Sequence, residues 1–384
     1  KGDVKISINN GDRIITTEPG SSLLSTLAGQ KIFLPSACGG KGSCGMCKCQ
    51  VDSGAGSILP TETGFFSYKQ QHENWRLACQ VKVKENIEMR IPESVMGIKK
   101  WECTVVSNRN ISTFLKEFVV KLPEGENLKF KSGGYIQIDV PALDVDFKDM
   151  IIDEKYKGDW EKMKMFDLKM HNPEPTYRAY SMANSPAEGN IIMLNIRIAT
   201  PPFDRAAGAF APVNPGICSS FIFSRKPGDK VTISGPYGEF FLRETNNEMM
   251  FIGGGAGMAP MRSHIFNLFH TIHTDRKVTF WYGARALQEA PYVDEFNKIQ
   301  EENPNFHWTL ALDRPDPVAD AAGVAYKPGF VHQVIFENYL KNHENPEDIE
   351  YYLCGPPMMI QAVTKMLYDL GVPDENVMYD NFGG

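Results

Sequence analysis

The chain has 384 residues, of which 42% are hydrophobic and 23% charged, and its net charge is −7. This composition is ordinary for a globular protein and excludes collagen, a coiled coil and wholesale disorder. The negative charge argues against a nucleic-acid partner, and no run approaches the ~18 apolar residues of a membrane helix. At roughly 150 residues per domain, the length predicts two to three domains.

The first ninety residues carry the pattern of a small mixed domain. Val4–Ile8 and Arg13–Thr17 alternate between apolar and polar residues, which predicts two paired strands. A short helix is predicted over Leu23–Ala28, after a serine that caps it. Val81–Arg90 alternates again and is predicted to return as a strand.

A cluster of cysteines interrupts this domain. Five of the eight cysteines fall within residues 38–79, with the spacing C-x5-C-x2-C followed by a distant fourth ligand. Glycines between them permit the positive φ angles that turn backbone N–H groups toward an inorganic cluster. The plant-type 2Fe–2S spacing is one residue shorter in its first gap. We therefore predict a 2Fe–2S cluster whose ligands are Cys38, Cys44, Cys47 and Cys79, with Cys49 as a buried neighbour.

Two other interpretations of the cysteines stay open from spacing alone. A structural zinc site usually uses two short pairs of cysteines, whereas here the fourth ligand stands alone. Disulfides need an oxidising compartment, to which nothing in the chain points. The segment 1–95 resembles the ferredoxin-like 2Fe–2S domains, which favours the cluster.

The next part of the chain predicts an antiparallel barrel. Strands are predicted at Trp101–Val106, Thr113–Val120 and Gly133–Val140. Residues 141–176 then contain 15 charged residues in 36, too polar for a pair of core strands. We predict an insertion with helical turns around Trp160–Phe166, and a solvated excursion without a specific role is an equally good interpretation.

Two motifs after the insertion suit a flavin. Alternation on a strand places Arg178 and Tyr180 on one side, so that the guanidinium can hold a phosphate and the phenol ring can lie against the isoalloxazine. Ser181 adds a hydroxyl or N–H at the flavin edge. A glycine and small residues then open a short helix and present N–H groups to a pyrophosphate. These residues are Gly216, Cys218, Ser219 and Ser220.

The order RxYS, GxCSS and then GPYGxF, the last at residues 235–240, resembles the FAD-binding barrel of the ferredoxin-NADP⁺ reductase superfamily. The resemblance implies FAD as the cofactor, with contacts from Arg178, Tyr180, Ser181, Gly216, Cys218, Ser219 and Ser220.

The last third predicts a parallel α/β sheet. A buried strand at Met249–Ile252 runs into a glycine-rich turn that lets backbone approach a dinucleotide pyrophosphate, although Met258 stands where a strict GxGxxG motif has its third glycine. Further strands are predicted at Val278–Tyr282, Phe306–Leu312, Tyr351–Leu353 and Asn376–Phe382. Helices are predicted over Pro291–Gln300 and up to Leu370. The predicted NADH contacts in the turn are Gly253, Gly254, Gly255, Ala256 and Gly257.

A second turn, after the strand at Tyr351–Leu353, completes the predicted site. Resemblance to the same superfamily places Cys354 near the hydride donor, with Gly355 and Pro356 as NADH contacts. Phe382, the last aromatic residue, is expected to cover the flavin face, and Asp380 loosely fits an acidic residue of the superfamily. The predicted catalytic residues are Tyr180, Ser181, Cys354 and Phe382.

The whole chain is thus predicted to be a multidomain α+β and α/β protein. Its parts are a β-grasp ferredoxin domain over 1–97, an antiparallel flavin-binding β-barrel over 98–245, and a Rossmann-like parallel-sheet NADH domain over 246–384. The resemblance also implies a preference for NADH over NADPH. The residues themselves do not decide this preference, because Arg285 follows a strand at a place where it could hold the 2′-phosphate of NADPH.

Two groups of proteins share this domain order. The CGMCKC ending of the cysteine loop, the charged insertion and the ending YDNFGG resemble the F-subunit family of sodium-translocating NADH:quinone oxidoreductases. The resemblance implies that hydride passes from NADH to FAD, and single electrons to the 2Fe–2S cluster and on to the other subunits of a quinone-reducing, Na⁺-pumping membrane complex. It also implies a place on the cytoplasmic side of the bacterial inner membrane and a membrane helix before Lys1, so that this chain would be a soluble fragment.

Two alternatives remain at this stage. One is a soluble NADH-dependent reductase of a multicomponent oxygenase, of the phenol hydroxylase or methane monooxygenase type. The other is a redox-sensing or electron-storage module that binds cofactors without turnover.

Overall fold

A computed structural model describes residues 2–380 and contains three main sheets that follow one another along the chain. Phe382, and with it the end of the strand predicted at 376–382, lies outside these residues. In the same range, no helix combines the length and the apolar character needed to cross a bilayer.

The first sheet has five strands in the order β2-β1-β5-β3-β4, with β1 and β5 parallel. Both predicted N-terminal strands are confirmed, and the predicted helix runs one residue longer. Alternate residues of β1 and one face of α1 are buried in a common core. The elements are β1 (Val4–Ile8), β2 (Arg13–Thr17), α1 (Leu23–Gly29), β3 (Lys48–Ser53), α2 (Pro60–Thr63), α3 (Tyr68–His72), β4 (Trp75–Leu77) and β5 (Ile87–Arg90).

The strand predicted at 81–90 was too long. Only Ile87–Arg90 is paired as a strand, because the chain before it follows Cys79 and pairs with the segment that leads into α1, by a bridge between Lys82 and Ser22 and a hydrogen bond from the Val83 N–H to the Ser21 carbonyl at 2.9 Å. A short helix α4 (Glu93–Met96) then leads into the second sheet.

The second sheet has six antiparallel strands in the order β11-β8-β15-β6-β7-β12. It curls until its edges meet, where Met182 bridges Leu194 and the N–H of Ala183 donates to the carbonyl of Met193 at 2.7 Å. This is the predicted antiparallel barrel. Its elements are β6 (Lys99–Asn110), β7 (Leu115–Lys121), β8 (Tyr135–Val140), β9 (Leu143–Asp146), α5 (Glu154–Lys162), β10 (Lys169–Asn172), β11 (Thr176–Ser181), β12 (Ile191–Arg197), β13 (Phe203–Asp204), β14 (Ala209–Phe210), α6 (Ile217–Phe223) and β15 (Lys230–Tyr237).

The charged insertion is a folded part of the barrel domain. It contains the antiparallel pair β9 and β10 with α5 between them. Trp160 of α5 is fully buried, stacks on Phe223 and donates from Nε1 to the carbonyl of Thr113 at 2.7 Å. The helical turns were thus predicted correctly, whereas the strand pair was missed and the interpretation as a solvated excursion was wrong. A few apolar side chains of this polar segment face the barrel core.

The third sheet is parallel throughout, in the order β19-β18-β17-β16-β20-β21. Helices cover its two faces over separate apolar cores, as in a Rossmann-like domain. Its elements are β16 (Met249–Gly254), α7 (Met258–Phe266), β17 (Val278–Ala284), α8 (Val293–Glu302), β18 (Phe306–Leu312), α9 (Pro317–Ala322), β19 (Lys327–Pro328), α10 (Val331–Asn338), β20 (Glu350–Cys354), α11 (Pro357–Asp369) and β21 (Val377–Tyr379).

One helix that packs on this sheet, α8, begins later than predicted. The helix predicted from Pro291 begins at Val293, because Tyr292 adopts a left-handed backbone conformation with φ of 61°. Its hydroxyl donates to Glu117 Oε2 of the barrel at 2.6 Å, which places the residue at a contact between the two sheets. Arg262 of α7 adds an ion pair to Glu188 of the barrel at 2.7 Å.

Candidate functional site

The four predicted cluster ligands lie together in two pairs. Cys38 is hydrogen-bonded to Cys44, and Cys47 is hydrogen-bonded to Cys79. Backbone N–H groups also point at the sulfurs: Ala37 donates to Cys44 Sγ and Cys79 donates to Cys47 Sγ, both at 3.4 Å. Two pairs of sulfurs are the arrangement that two irons with two protein ligands each require.

The environment favours thiolates at two of these positions. Burial raises the pKa of Cys38, but hydrogen bonds from Cys44 and Ser43 outweigh it and lower the pKa to about 6. A hydrogen bond from Cys47 lowers the pKa of Cys79 to about 7, while the same bond and burial raise that of Cys47. Because the thiolate is the metal ligand, this loop is prepared to hold a cationic centre.

Glycine is required by the shape of the loop. Gly39, Gly40, Gly42 and Gly45 all have positive φ angles. A Cβ on Gly45 would lie 2.2 Å from the Phe65 ring. In residues 2–380, no three or more His, Cys, Asp or Glu side chains converge on one point as the ligands of a single metal ion would, and the four cysteines are instead arranged as two pairs. The paired thiols and inward N–H groups fit a 2Fe–2S cluster.

Cys49 lies on β3 as a fully buried neighbour of this loop, as predicted. Its sulfur is 3.9 Å from the carbonyl oxygen of Arg76. Burial raises the pKa of its thiol to about 12, so the group stays neutral. It differs in this from Cys38 and Cys79.

A second site is a cleft of about 1760 Å³ between the barrel and the parallel sheet. It exceeds the ~300–1,000 Å³ of a typical small-ligand pocket, so it can accept parts of two ligands at once. Predicted residues from both domains line it: Tyr180, Ser181, Gly254, Gly255, Ala256, Gly257, Cys354, Gly355 and Pro356.

The barrel side of the site joins two predicted flavin motifs. The Tyr180 hydroxyl shares a hydrogen bond with the Cys218 thiol at the start of α6, and burial raises the pKa of both groups. Ser220, two residues after Cys218 in α6, is fully buried. Its Oγ has no hydrogen-bond partner among residues 2–380. A phosphate oxygen would satisfy this hydroxyl, so the residues fit FAD.

Some predicted flavin contacts lie outside the cleft lining. Arg178 points along its own strand, where Nη1 donates to Thr176 Oγ1 at 3.0 Å and to the Tyr177 carbonyl at 2.8 Å. Gly216 lies against Ala199, whose Cβ would be 2.6 Å from a Cβ added at the glycine. Cys218, Ser219 and Ser220 are buried in α6.

The nucleotide side is built from two turns in close contact. A Cβ added to Gly257 would lie 2.0 Å from the carbonyl oxygen of Cys354, so only glycine allows the two turns to meet. Helix α7 begins at Met258, directly behind, with its N–H groups toward the cleft. Gly253 lies within β16 instead, facing Met261 and Tyr282, and is not part of the cleft lining.

Acidic and thiol groups meet where the two domains face each other. Ser181 Oγ donates to Asp380 Oδ2 at 2.6 Å. Burial raises the pKa of Asp380 to about 6, and the hydrogen bond from Ser181 opposes this shift. Burial also raises the pKa of Cys354, and the charge of Asp380 adds to the effect. A neutral thiol, a hydroxyl and a carboxyl group therefore share one small volume.

Sequence reasoning missed several cleft residues. Asn195 is buried on β12 with Oδ1 unpartnered within residues 2–380, and Arg197, on the same side of the strand, faces the charge of Arg285. An asparagine inside the apolar strand IIMLNIR was the available signal. Asp159 of the insertion also lines the cleft and accepts a hydrogen bond from Gln288 at 2.7 Å.

Three protein families match consecutive parts of the chain. The 2Fe-2S iron-sulfur cluster binding domain matches residues 6–84, the oxidoreductase FAD-binding domain matches 162–242, and the oxidoreductase NAD-binding domain matches 251–365. The chain is therefore an oxidoreductase with sites for a 2Fe–2S cluster, FAD and NADH. It is an electron-entry module in which hydride from NADH reaches FAD and electrons continue to the cluster.

Solved structures share this architecture. The Amycolatopsis cytochrome P450 reductase GcoB is 24% identical and superposes with a TM-score of 0.65, covering 99% of this chain and 98% of its own. A ferredoxin reductase in carbazole 1,9a-dioxygenase is 25% identical with a TM-score of 0.62 and the same coverage. At this identity the likeness establishes the fold of the three domains.

Curated relatives are much more similar. The Na(+)-translocating NADH-quinone reductase F subunit of Methylococcus capsulatus is 54% identical over 100% of this chain and 92% of the relative. Its counterpart in Pseudomonas aeruginosa is 52% identical with the same coverage. The relatives with more than half of their residues identical are F subunits, whereas the reductases of oxygenases are only 24–25% identical, so the comparison does not favour the oxygenase-reductase alternative. The chain belongs to the F-subunit family of the Na(+)-translocating NADH-quinone reductase.

Proposed function

We propose that the cleft between the barrel and the parallel sheet is where nicotinamide meets flavin, with Tyr180, Ser181 and Cys354 around the reacting rings. The observation that carries this assignment is the convergence of Ser181, Asp380 and Cys354, which come from strands β11 and β20 and from the segment after β21. Phe382 remains a proposed cover of the flavin face, two residues beyond Asp380.

The bound cofactors supply the redox chemistry: FAD accepts two electrons as hydride, and the 2Fe–2S cluster accepts one electron at a time. The protein orients them. Tyr180 offers a ring face, and Ser181, fixed by Asp380, offers its backbone N–H to the flavin edge. Cys354 stays protonated and packs without charge beside the donor.

We further propose the individual contacts of each cofactor. Arg178, released from its own strand, would pair with the FAD phosphates together with Gly216, Cys218, Ser219 and Ser220. The two glycine-rich turns, including Gly253 behind them, would approach NADH, and Arg197 and Arg285 would face its phosphates. Cys38, Cys44, Cys47 and Cys79 would bind the cluster.

At the level of the assembly, we propose that electrons leave this chain for the other subunits of a membrane complex and finally reduce a quinone. Na⁺ export would occur elsewhere in that complex. The relatives' names support this role, as does the full-length match. The proposed place is the cytoplasmic side of the inner membrane. The proposed domain boundaries are 1–97, 98–245 and 246–384.

Two measurements test the proposal. Purified protein should carry one FAD and one 2Fe–2S cluster and oxidise NADH with ferricyanide as acceptor; zinc in place of iron, or bound cofactors without turnover, would refute it. NADH should be preferred to NADPH in this assay.

The role in the complex needs its own experiment. Membranes from a strain that lacks its own F-type relative should regain Na⁺-stimulated quinone reduction by NADH when the full reading frame is expressed. Restored NADH oxidation without quinone reduction would contradict the proposed partners.

A further inference from the structure

Three tyrosines of the barrel lie where the barrel meets the cysteine loop. Tyr135 begins β8, Tyr177 is on β11 and Tyr237 ends β15. Tyr135 and Tyr237 are buried and stack at a ring distance of 5.3 Å with 20° between their planes. We call these three residues the tyrosine cluster. Neither the FAD site nor the NADH site described above uses it.

Tyr177 contacts the cysteine loop directly. Its hydroxyl is hydrogen-bonded to Ser36, whose Oγ also accepts from the N–H of Gly40 at 3.4 Å. A Cβ placed on Gly40 would lie 3.8 Å from the Tyr177 hydroxyl and 3.9 Å from the Cβ of Cys79. The Tyr177 hydroxyl therefore lies beside Gly40 of the loop, in the neighbourhood of the Cys47, Cys38 and Cys79 thiols.

The stacked pair contacts the loop from the other side. Tyr135 and Tyr237 share an apolar core with Ala37 of the loop and Ala179 of β11, and Cys44 packs against this core. The surroundings of Tyr135 include both the Cys44 thiol and the Asp380 carboxylate. Tyr135 thus lies between the cysteine loop and the flavin–nicotinamide cleft.

Strand β11 runs from the cysteine loop to the cleft, so its length indicates how far apart these two sites are. Thr176 and Arg178 at one end would meet a Cβ on Gly39 at 2.9 and 3.2 Å, while Tyr180 and Ser181 at the other end line the cleft. Tyr177 and Tyr180 are three positions apart, which is about 10 Å along a strand. The two redox sites are therefore separated by little more than packed side chains.

We propose that the tyrosine cluster is the electron-transfer contact of this chain: it holds the cysteine loop against the flavin strand and fills the gap between the two redox sites with packed, water-free atoms. The inference rests on the proposed cluster ligands. Electron tunnelling weakens steeply with distance and more steeply across water than through packed protein, so a filled gap speeds the transfer.

The electron balance of the step is simple. Each NADH supplies two electrons to FAD, which cross one at a time; reduced FAD is oxidised, the cluster is reduced, and an external one-electron acceptor oxidises the cluster before the next transfer. The flavin protons leave to solvent. The tyrosines neither gain nor lose an electron, and all three are positioning residues. Burial raises their pKa values, so they remain protonated.

The test uses stopped-flow mixing of the FAD- and cluster-loaded chain with NADH. Flavin bleaching and cluster reduction are followed at separate wavelengths. Tyr177→Ala should slow cluster reduction by about tenfold or more through loss of packing and alignment, while flavin reduction stays within about twofold. Tyr177→Phe, which keeps the ring, should retain most of the rate. Tyr68→Ala, at an exposed tyrosine of the first domain, is the matched control.

A second readout does not depend on turnover. Hydrogen–deuterium exchange of residues 36–44 should rise in Tyr177→Ala and stay at the parent level in Tyr68→Ala. Unchanged cluster reduction and unchanged exchange in Tyr177→Ala would overturn the proposal, as would equal slowing of both redox phases.

The iron and flavin contents of each variant show whether the tyrosine-cluster proposal is wrong or whether the proposed cluster ligands are wrong. If Tyr177→Ala loses iron, Tyr237→Leu takes its place in the same assay, because it removes a ring of the stacked pair away from Cys79. A normal cluster-reduction rate in an iron-loaded Tyr237→Leu variant would refute the role of the tyrosine cluster. Retention of iron by a Cys79→Ala variant would instead refute the proposed ligand set.

Discussion

Ser181 and Asp380, 199 positions apart in the chain, are joined by a hydrogen bond of 2.6 Å from the serine hydroxyl to the carboxylate. The contact ties strand β11 of the barrel to the segment that follows β21.

The first prediction concerns the pH dependence that Asp380 imposes. Burial raises its pKa from 3.8 to about 6, so burial of the ionised carboxylate costs stability above pH 6 and costs nothing below about pH 4. Asp380→Asn removes this cost, of order 3 kcal/mol at neutral pH. Relative to the parent, the melting temperature of the variant should therefore rise as pH increases from 4 to 7.

The control for this prediction is Glu375→Gln, at an exposed carboxylate nearby. It should show no such trend. The rate of flavin reduction should have an inflection near pH 6 in the parent and none in Asp380→Asn. A stability difference that is constant over this pH range would contradict the raised pKa.

A second prediction distinguishes ligand from neighbour among the cysteines. Cys79→Ala should abolish the visible and EPR signals of the cluster, because it removes one of the four proposed thiolate ligands. It should leave NADH–ferricyanide activity within about twofold, since the proposed site of hydride transfer is the cleft. Cys49→Ala is the matched control, since Cys49 is buried with its sulfur next to the Arg76 carbonyl and belongs to neither of the two hydrogen-bonded thiol pairs. Iron lost from the Cys49 variant but kept by the Cys79 variant would reverse the assignment.

A third prediction concerns the phosphate contact of FAD. Arg178→Ala removes a guanidinium that is held in place by Thr176 and the Tyr177 carbonyl. A charge-assisted hydrogen bond contributes about 1.5–3 kcal/mol, so FAD should bind roughly 10- to 150-fold more weakly. Flavin content after desalting measures the effect, and Arg178→Lys should lose less. Full FAD retention in the alanine variant would exclude the phosphate role.

A fourth prediction uses the close contact of the two nucleotide turns. In Gly257→Ala the new methyl group would meet the Cys354 carbonyl at 2.0 Å, so the turns must separate. Displacement of this kind should raise the KM for NADH by about tenfold or more while FAD and iron contents stay at parent levels.

Gly158→Ala is the control for the close contact. Gly158 lies in α5 with open space around its Cα, so alanine there should stabilise the protein by up to about 1 kcal/mol. An unchanged KM in Gly257→Ala would mean that the turns do not bind the dinucleotide.

Local chemistry made much of the fold predictable. The strands Val4–Ile8 and Phe306–Leu312 were predicted with the bounds that they have, since alternation and apolar runs depend on nearby residues. The cysteines and the glycine-rich turns were recognisable because each motif has a characteristic spacing.

Other features depend on partners distant in the chain. Trp160 is buried because Thr113 and Phe223 receive it, and no pattern within residues 141–176 contains that information. The left-handed Tyr292 delays its helix because its hydroxyl reaches Glu117. Likewise, Tyr177 is inconspicuous beside Arg178 until the cysteine loop packs against it.

Strand β11 contacts the cysteine loop at one end and the cleft at the other, so its length between these contacts is constrained. Side chains on a strand alternate between faces, so one inserted or deleted residue between Tyr177 and Tyr180 would reverse one of them. Either the tyrosine would turn away from the cysteine loop, or the ring would leave the flavin cleft. We therefore expect natural variation in this family to include substitutions in β11 but to confine insertions to the segments that flank it.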